Sequence, residues 1–173
     1  MHYQKHVGII LKKTKVKDAD HFLTILTSDE GKLSVYAHGV RTIVSKRRAS
    51  LDYFSEISFE VIERGGRLTL MSVELQNDFA ASKKILPDIS RLFQIGELVD
   101  GLLPEGEHSL EVYELLHKAF SHLERFAMPE YLLRFKRRLL RELGYGEGEI
   151  SDANLDSYIE SLLDRPLRSR PFD

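Results

Sequence analysis

Residues 31–54, GKLSVYAHGVRTIVSKRRASLDYF, carry the reading of the fold. The stretch opens as a strand with apolar residues at alternate positions, passes into a basic loop and heads for the next strand. From Lys32 to Leu51 its charged residues are Lys32, Arg41, Lys46, Arg47 and Arg48, with no acidic residue among them. A polyanion is the natural partner of such a segment. A solvated loop is the plainer use of a charge run.

Working outward, Val7, Ile9 and Leu11 alternate with Gly8, Ile10 and Lys12, and Phe22 to Thr27 repeats the period of two. The turn Ser28-Asp29-Glu30-Gly31 puts glycine where a hairpin needs positive φ. Beyond the basic loop, Ile57, Phe59 and Val61 alternate with Ser58 and Glu60, and Gly65-Gly66 turns the chain into Leu68–Leu75. Five strands this close together would leave long exposed edges in an open sheet, and a closed barrel removes them. The expected form over residues 1–78 is an OB-like five-stranded β-barrel, a class that binds single strands or oligosaccharides. An SH3-like barrel is the alternative.

After Asn77-Asp78 the period becomes helical, so residues 79–173 read as an all-α helical bundle and the whole chain as α+β. Ile89, Leu92, Phe93, Val99, Leu102 and Leu103 share one face, between Pro87-Asp88 and the stop Pro104-Glu105-Gly106. Tyr113, Leu116, Phe120 and Leu123 mark a second helix over Ser109–Phe126. Pro129 opens a third, ending near Gly144, and Asn154–Leu163 is a fourth, closed by Pro166. Short connections make these helices neighbours.

The third helix, PEYLLRFKRRLLRELG, sets Arg134, Arg137, Arg138 and Arg141 on one face and Leu132, Phe135, Leu139 and Leu143 on the other, with Lys136 on the apolar side. A bundle helix with a wet arginine face is the plain reading. The functional one is a site for phosphate or an acidic peptide, since the arginine fork holds either bidentately.

Composition narrows the classes. In 173 residues the net charge is −2, but the basic residues are local: 12 Lys/Arg face 10 Asp/Glu in residues 1–80, 10 face 9 in 81–141, and 3 face 8 in 142–173. A polyanion site must therefore be a patch. With no cysteine, disulfides, thiolate zinc sites and cysteine nucleophiles are excluded. No apolar run suits a membrane span or a signal peptide, so no membrane partner is expected and the expected location is cytoplasmic.

Catalytic constellations are poor. The seven histidines fall into no metal-binding spacing. Glu114 and His117 form a single Glu-x-x-His, where a di-iron bundle needs two with two further glutamates. Gly144, Gly146 and Gly148 follow a helix instead of opening one, unlike a phosphate loop. No catalytic residue, metal or cofactor is expected. Tyr36, Tyr53 and Phe54 are the aromatics able to stack bases; Phe54 is assigned to the core, and Tyr36 stays open between stacking and core.

These residues together resemble a family. Gly8-Ile9-Ile10-Leu11-Lys12, Asp18-Ala19-Asp20, Leu26-Thr27, Gly31-Lys32, Gly39-Val40-Arg41, Ser45-Lys46 and Leu51 resemble the bacterial RecO recombination-mediator family. Glu97-Leu98-Val99, Arg134-Phe135, Leu139-Leu140 and Leu143-Gly144-Tyr145 are similar to its helical domain, and Pro166-Leu167-Arg168-Ser169-Arg170 to its ending. The resemblance implies an N-terminal OB fold and a helical domain. It implies binding of single- and double-stranded DNA, annealing of complementary strands and loading of recombinase onto coated strands in DNA repair, at the nucleoid. RecR is the implied partner, and the acidic C-terminal tail of single-strand-binding protein is expected on the helical domain. Arg41 and Lys46 match the barrel's basic motif, and Arg134, Phe135 and Leu139 the tail-binding helix.

The family's four-cysteine zinc module has no counterpart between Gly146 and Ser151, so a compact form is expected. The candidate nucleic-acid residues are Lys12, Arg41, Lys46, Arg47 and Arg48, and the candidate peptide residues Arg134, Phe135, Arg138, Leu139 and Arg141. A protein–protein adaptor with an OB barrel and an RNA-binding OB protein are the competing readings.

Overall fold

The computed structural model describes residues 2–17, 19–39, 51–146 and 149–169. Strands β1 (Tyr3–Lys17), β2 (Asp20–Thr27), β3 (Lys32–Ala37), β4 (Glu56–Arg64) and β5 (Arg67–Asn77) close into a barrel in the order β1-β2-β3-β5-β4. Every pairing is antiparallel except β3 with β5, which run parallel through Val35↔Leu68 and Tyr36↔Thr69. This is the OB-like barrel that the strand pattern predicts. Ile10, Leu23, Ile25, Val35, Ala37, Leu51, Ile57, Phe59 and Val61 fill it.

One face assignment changes. A strict period of two groups Val7, Ile9 and Leu11, yet Ile10 joins the barrel core while Val7 is 37% exposed. Ile9 and Leu11 are buried outside that core cluster. The register of β1 on β2 shifts between Ile10, opposite Ile25, and Lys12, opposite Thr24. The extra residue of this bulge reverses the phase of the strand, so Lys12 points outward although Ile10 points inward.

Gly31 takes φ +75°, as the turn requires, and a Cβ there would stand 2.2 Å from the Glu107 carbonyl oxygen. Glycine thus serves both the turn and the close approach of a later segment. Gly106 N–H donates to the Lys32 carbonyl over 3.0 Å, and His108 Nε2 to the Ser28 carbonyl over 3.3 Å. Glu105–Leu110 accordingly forms one compact unit with Met1–Ala80, and Ala81–Pro104 with Glu111–Asp173 forms the other.

In the second unit a 3₁₀ turn (Ala80–Lys83) precedes α1 (Leu86–Leu102). Helix α2 spans Leu110–Ser121, and the stretch expected to continue it to Phe126 is instead a separate 3₁₀ turn, Leu123–Ala127. Helices α3 (Pro129–Glu142) and α4 (Leu155–Leu163) follow, the first opened by Pro129 as read. Phe135, Leu139 and Leu140 bury the apolar face of α3. Lys136 is buried with them, its Nζ 2.6 Å from Asp156 on α4, and Arg137 reaches Asp152 at 2.5 Å and the Ile150 carbonyl at 2.8 Å. Two of the helix's cations therefore hold the chain that follows it.

Two family-like motifs meet here. The Glu97 carboxylate on α1 accepts the Arg168 N–H at 2.9 Å, the Ser169 N–H at 2.8 Å and the Arg165 guanidinium at 2.5 Å. Burial acts to raise its pKa, but these donors, led by the Arg168 N–H, hold it below the usual glutamate value.

Candidate nucleic-acid interface

The strand registers place chosen side chains in rows on the outside of the barrel. Thr14 lies opposite Phe22, Phe22 opposite Tyr36, and Tyr36 opposite Thr69; Lys12, Thr24 and Ser34 form the next row. Leu23 and Val35 point into the core, so their neighbours Phe22 and Tyr36 point out. The Phe22 and Tyr36 rings meet edge to face at 5.3 Å, and His38 stacks on Tyr36 at 6.5 Å. Arg67, at the start of β5, lays its guanidinium 4.3 Å from the Tyr36 ring centre. A cavity of about 320 Å³ adjoins them, lined by Phe22, Lys32, Ser34, Arg67 and Glu105 among others.

A carboxylate organises this face. Asp20, 8% exposed, accepts the Tyr36 hydroxyl, the Gly39 N–H at 2.8 Å and His38 Nδ1 at 2.9 Å. These bonds, the tyrosine's first, bring its pKa from 3.8 down to about 2, and the Tyr36 hydroxyl is raised in turn by its bond to Asp20. Aromatic faces with a stacked guanidinium and neighbouring lysines are what an unpaired base and its phosphate need.

Of the residues singled out in the sequence, Lys12 shares this outer face, while Arg41, Lys46, Arg47 and Arg48 lie outside the described residues. Tyr36 faces outward. Phe54, 2% exposed, belongs to the core, and Tyr53 donates to the Lys13 carbonyl at 3.1 Å with Lys13 Nζ 5.9 Å from its ring.

The helical unit carries a groove of about 250 Å³, lined by Leu115, Lys118 and Ala119 of α2, His122, Arg125 and Phe126 after it, and Tyr131, Arg134, Phe135 and Arg138 of α3. Phe126 packs against Phe135 at 5.9 Å and Tyr131 at 6.4 Å, which makes the floor aromatic. Arg134 lies exposed 5.6 Å from the Tyr131 ring, and Arg138 pairs with Glu142 at 2.6 Å. Arg134, Phe135 and Arg138 are thus brought together. Leu139 is fully buried and, like Arg141, does not line the groove.

Phe22, His38 and Arg67 on the barrel, and Lys118, His122, Arg125, Phe126 and Tyr131 on the helices, were not singled out from sequence. Arg67 meets Tyr36 only through the parallel β3–β5 pairing, for which no local signal exists. Phe126 was hidden by the helix pattern running on through it.

A closed OB-like barrel with an outer stacking face, followed by helices bearing a basic aromatic groove, defines a two-unit OB-fold protein. Among the described residues no helix is long and apolar enough to cross a membrane, and no group of His, Cys, Asp or Glu is placed to hold a metal. Two family models then match the chain, "Recombination protein O N terminal" over residues 1–79 and "Recombination protein O C terminal" over residues 89–146, and the chain belongs to the RecO family. It is similar to the DNA repair protein RecO of Desulforudis audaxviator, 30% identical over 140 residues, 80% of this chain and 56% of that protein. It is also similar to those of Desulforamulus reducens, at 32% over 77% and 52%, and Symbiobacterium thermophilum, at 33% over 80% and 55%. The chain therefore spans little more than half the length of the curated relatives it matches.

Proposed function

We propose that the chain is a recombination mediator that performs no bond chemistry. It holds single-stranded DNA on the outer face of the barrel, anneals complementary strands and helps load recombinase onto DNA coated with single-strand-binding protein. The observation that carries this reading is Tyr36, flanked by Phe22 at 5.3 Å and Arg67 at 4.3 Å on the barrel's outer face. Annealing requires only that phosphate repulsion be screened and bases stay accessible, which stacking and cations supply. Lys12 and the basic residues Arg41, Lys46, Arg47 and Arg48 add phosphate contacts, to single and double strands alike.

The groove of the helical unit takes the acidic tail of single-strand-binding protein, its carboxylates on Arg134 and neighbouring cations and its terminal apolar side chain on Phe126 and Phe135. Arg134 leads, because Arg138 already serves Glu142. RecR is the second protein partner in this reading. The test compares annealing of naked and coated complementary oligonucleotides. Arg134→Ala slows the coated reaction and spares the naked one; equal loss in both makes the helix a DNA surface and ends the tail assignment.

A further inference from the structure

We infer that Asp20 is a positioning residue for DNA binding, an acidic side chain that strengthens the hold on a polyanion by fixing Tyr36, His38 and Gly39 on the barrel's outer face. The inference rests on the reading that this face takes single-stranded DNA. Point-charge reasoning gives the opposite sign, since a carboxylate near a phosphate path repels it. The geometry explains the reversal. Asp20 is 8% exposed, and its two oxygens are occupied: Oδ2 by the Tyr36 hydroxyl, and Oδ1 by the Gly39 N–H at 2.8 Å and His38 Nδ1 at 2.9 Å. Its charge is spent on donors inside the site, and both oxygens are engaged there.

Each of those bonds fixes something a stacked base depends on. The tyrosine is held at its far end, so its ring keeps its place between Phe22 and the Arg67 guanidinium. The chain just past β3 is held at Gly39, which has φ +64°. His38 is kept near the Tyr36 ring, stacked at 6.5 Å. Without the carboxylate the tyrosine hydroxyl loses this anchor, and the ring must be ordered by the base itself, which lowers affinity.

The experiment measures binding of a fluorescent oligothymidylate to the full chain by anisotropy over a range of salt, with thermal melts alongside. Tyr36→Ala is expected to weaken binding roughly tenfold, within the range of one stacked base. Asp20→Ala is expected to weaken it roughly three- to tenfold with the slope of log K against log salt unchanged, because no phosphate contact is lost. Tyr36→Phe, which keeps the ring and removes the hydroxyl, should share part of that loss, and Asp20→Ala added to it should cost less than Asp20→Ala alone, the remainder being its bonds to Gly39 and His38. Where Asp20→Ala does not fold, Asp20→Asn and Tyr36→Phe decide, both being expected to weaken binding. Equal or tighter binding by Asp20→Asn beside a weakened Tyr36→Ala overturns the inference and leaves the DNA-binding face standing. Wild-type binding by both Tyr36→Ala and Arg67→Ala overturns the face and the inference together.

Discussion

The barrel face and the helical groove are built from the same materials and arranged differently. Both set guanidinium groups against aromatic rings, Arg67 on Tyr36 at 4.3 Å and Arg134 near Tyr131 at 5.6 Å. On the barrel the rings stand along neighbouring strands of the outer surface, beside a cavity of about 320 Å³. In the helical unit Phe126, Tyr131 and Phe135 floor a groove of about 250 Å³ with cations at its rim. A surface accepts successive bases, whose flat faces are alike whatever the sequence. A groove accepts one apolar side chain with carboxylates beside it. Residue type alone does not separate the two partners proposed above, so the distinction has to be drawn by substitution.

The largest effect expected is on the barrel side. Replacing Arg41, Lys46, Arg47 and Arg48 together by alanine should weaken single-strand binding about a hundredfold or more at low salt and lower the salt slope by roughly 3, at about 0.7 per phosphate. The melting temperature should hold, which separates lost binding from lost folding. An unchanged affinity and slope would remove these four residues from the site. Next comes the groove: Arg134→Ala should weaken binding of an acidic peptide with an apolar C-terminus roughly tenfold, since one charge-assisted bond is worth ~1.5–3 kcal/mol. Arg134→Lys should recover only part of it, because lysine lacks the fork. A full recovery would reduce the contact to a point charge.

A smaller effect separates structural cations from those proposed to bind a partner on the same helix. Asp156→Ala leaves the buried Lys136 ammonium without its 2.6 Å partner and should destabilise the protein by about 1–2 kcal/mol in denaturant melts. Lys136→Met should cost less, since an apolar replacement leaves no buried charge. A larger loss for Lys136→Met would contradict this division of labour.

The smallest expected effect is on acid stability. Asp20 titrates near 2 in the folded chain against an ordinary 3.8, so its contribution is complete above about pH 4 and is lost as pH falls toward 2. The melting temperature of the native chain should drop more steeply over that interval than that of Asp20→Asn. Parallel profiles would show that the carboxylate's bonds add nothing to folding.

Much of this comparison is legible in the sequence, and the parts that are not have physical causes. Alternation in β2, β3 and β4 located strands because each has one face in a core and one facing out. Closure of the barrel was implied by the edges it removes, but the β3–β5 pairing rests on only two residue pairs, and it alone brings Arg67 to Tyr36. Alternation misled at β1, where the bulge after Ile10 reverses the faces and turns Lys12 outward. The arginine face of α3 was visible at helical spacing. Spacing does not show that Arg137 serves Asp152 and that Lys136 serves Asp156, because those contacts join different helices and turns. The groove's other wall escaped notice because 3₁₀ and α turns share nearly the same apolar period over five residues.

Photo-crosslinking reports directly where a base lies. An oligothymidylate carrying a single 5-iodouracil is irradiated with the full chain, and the attached peptide is identified by mass spectrometry. Attachment is expected at Phe22 or Tyr36 on the barrel, suppressed by Tyr36→Ala and untouched by Arg134→Ala. Attachment confined to Phe126, Tyr131 or Phe135, and lost in Arg134→Ala, would contradict it and make the helical groove the DNA site.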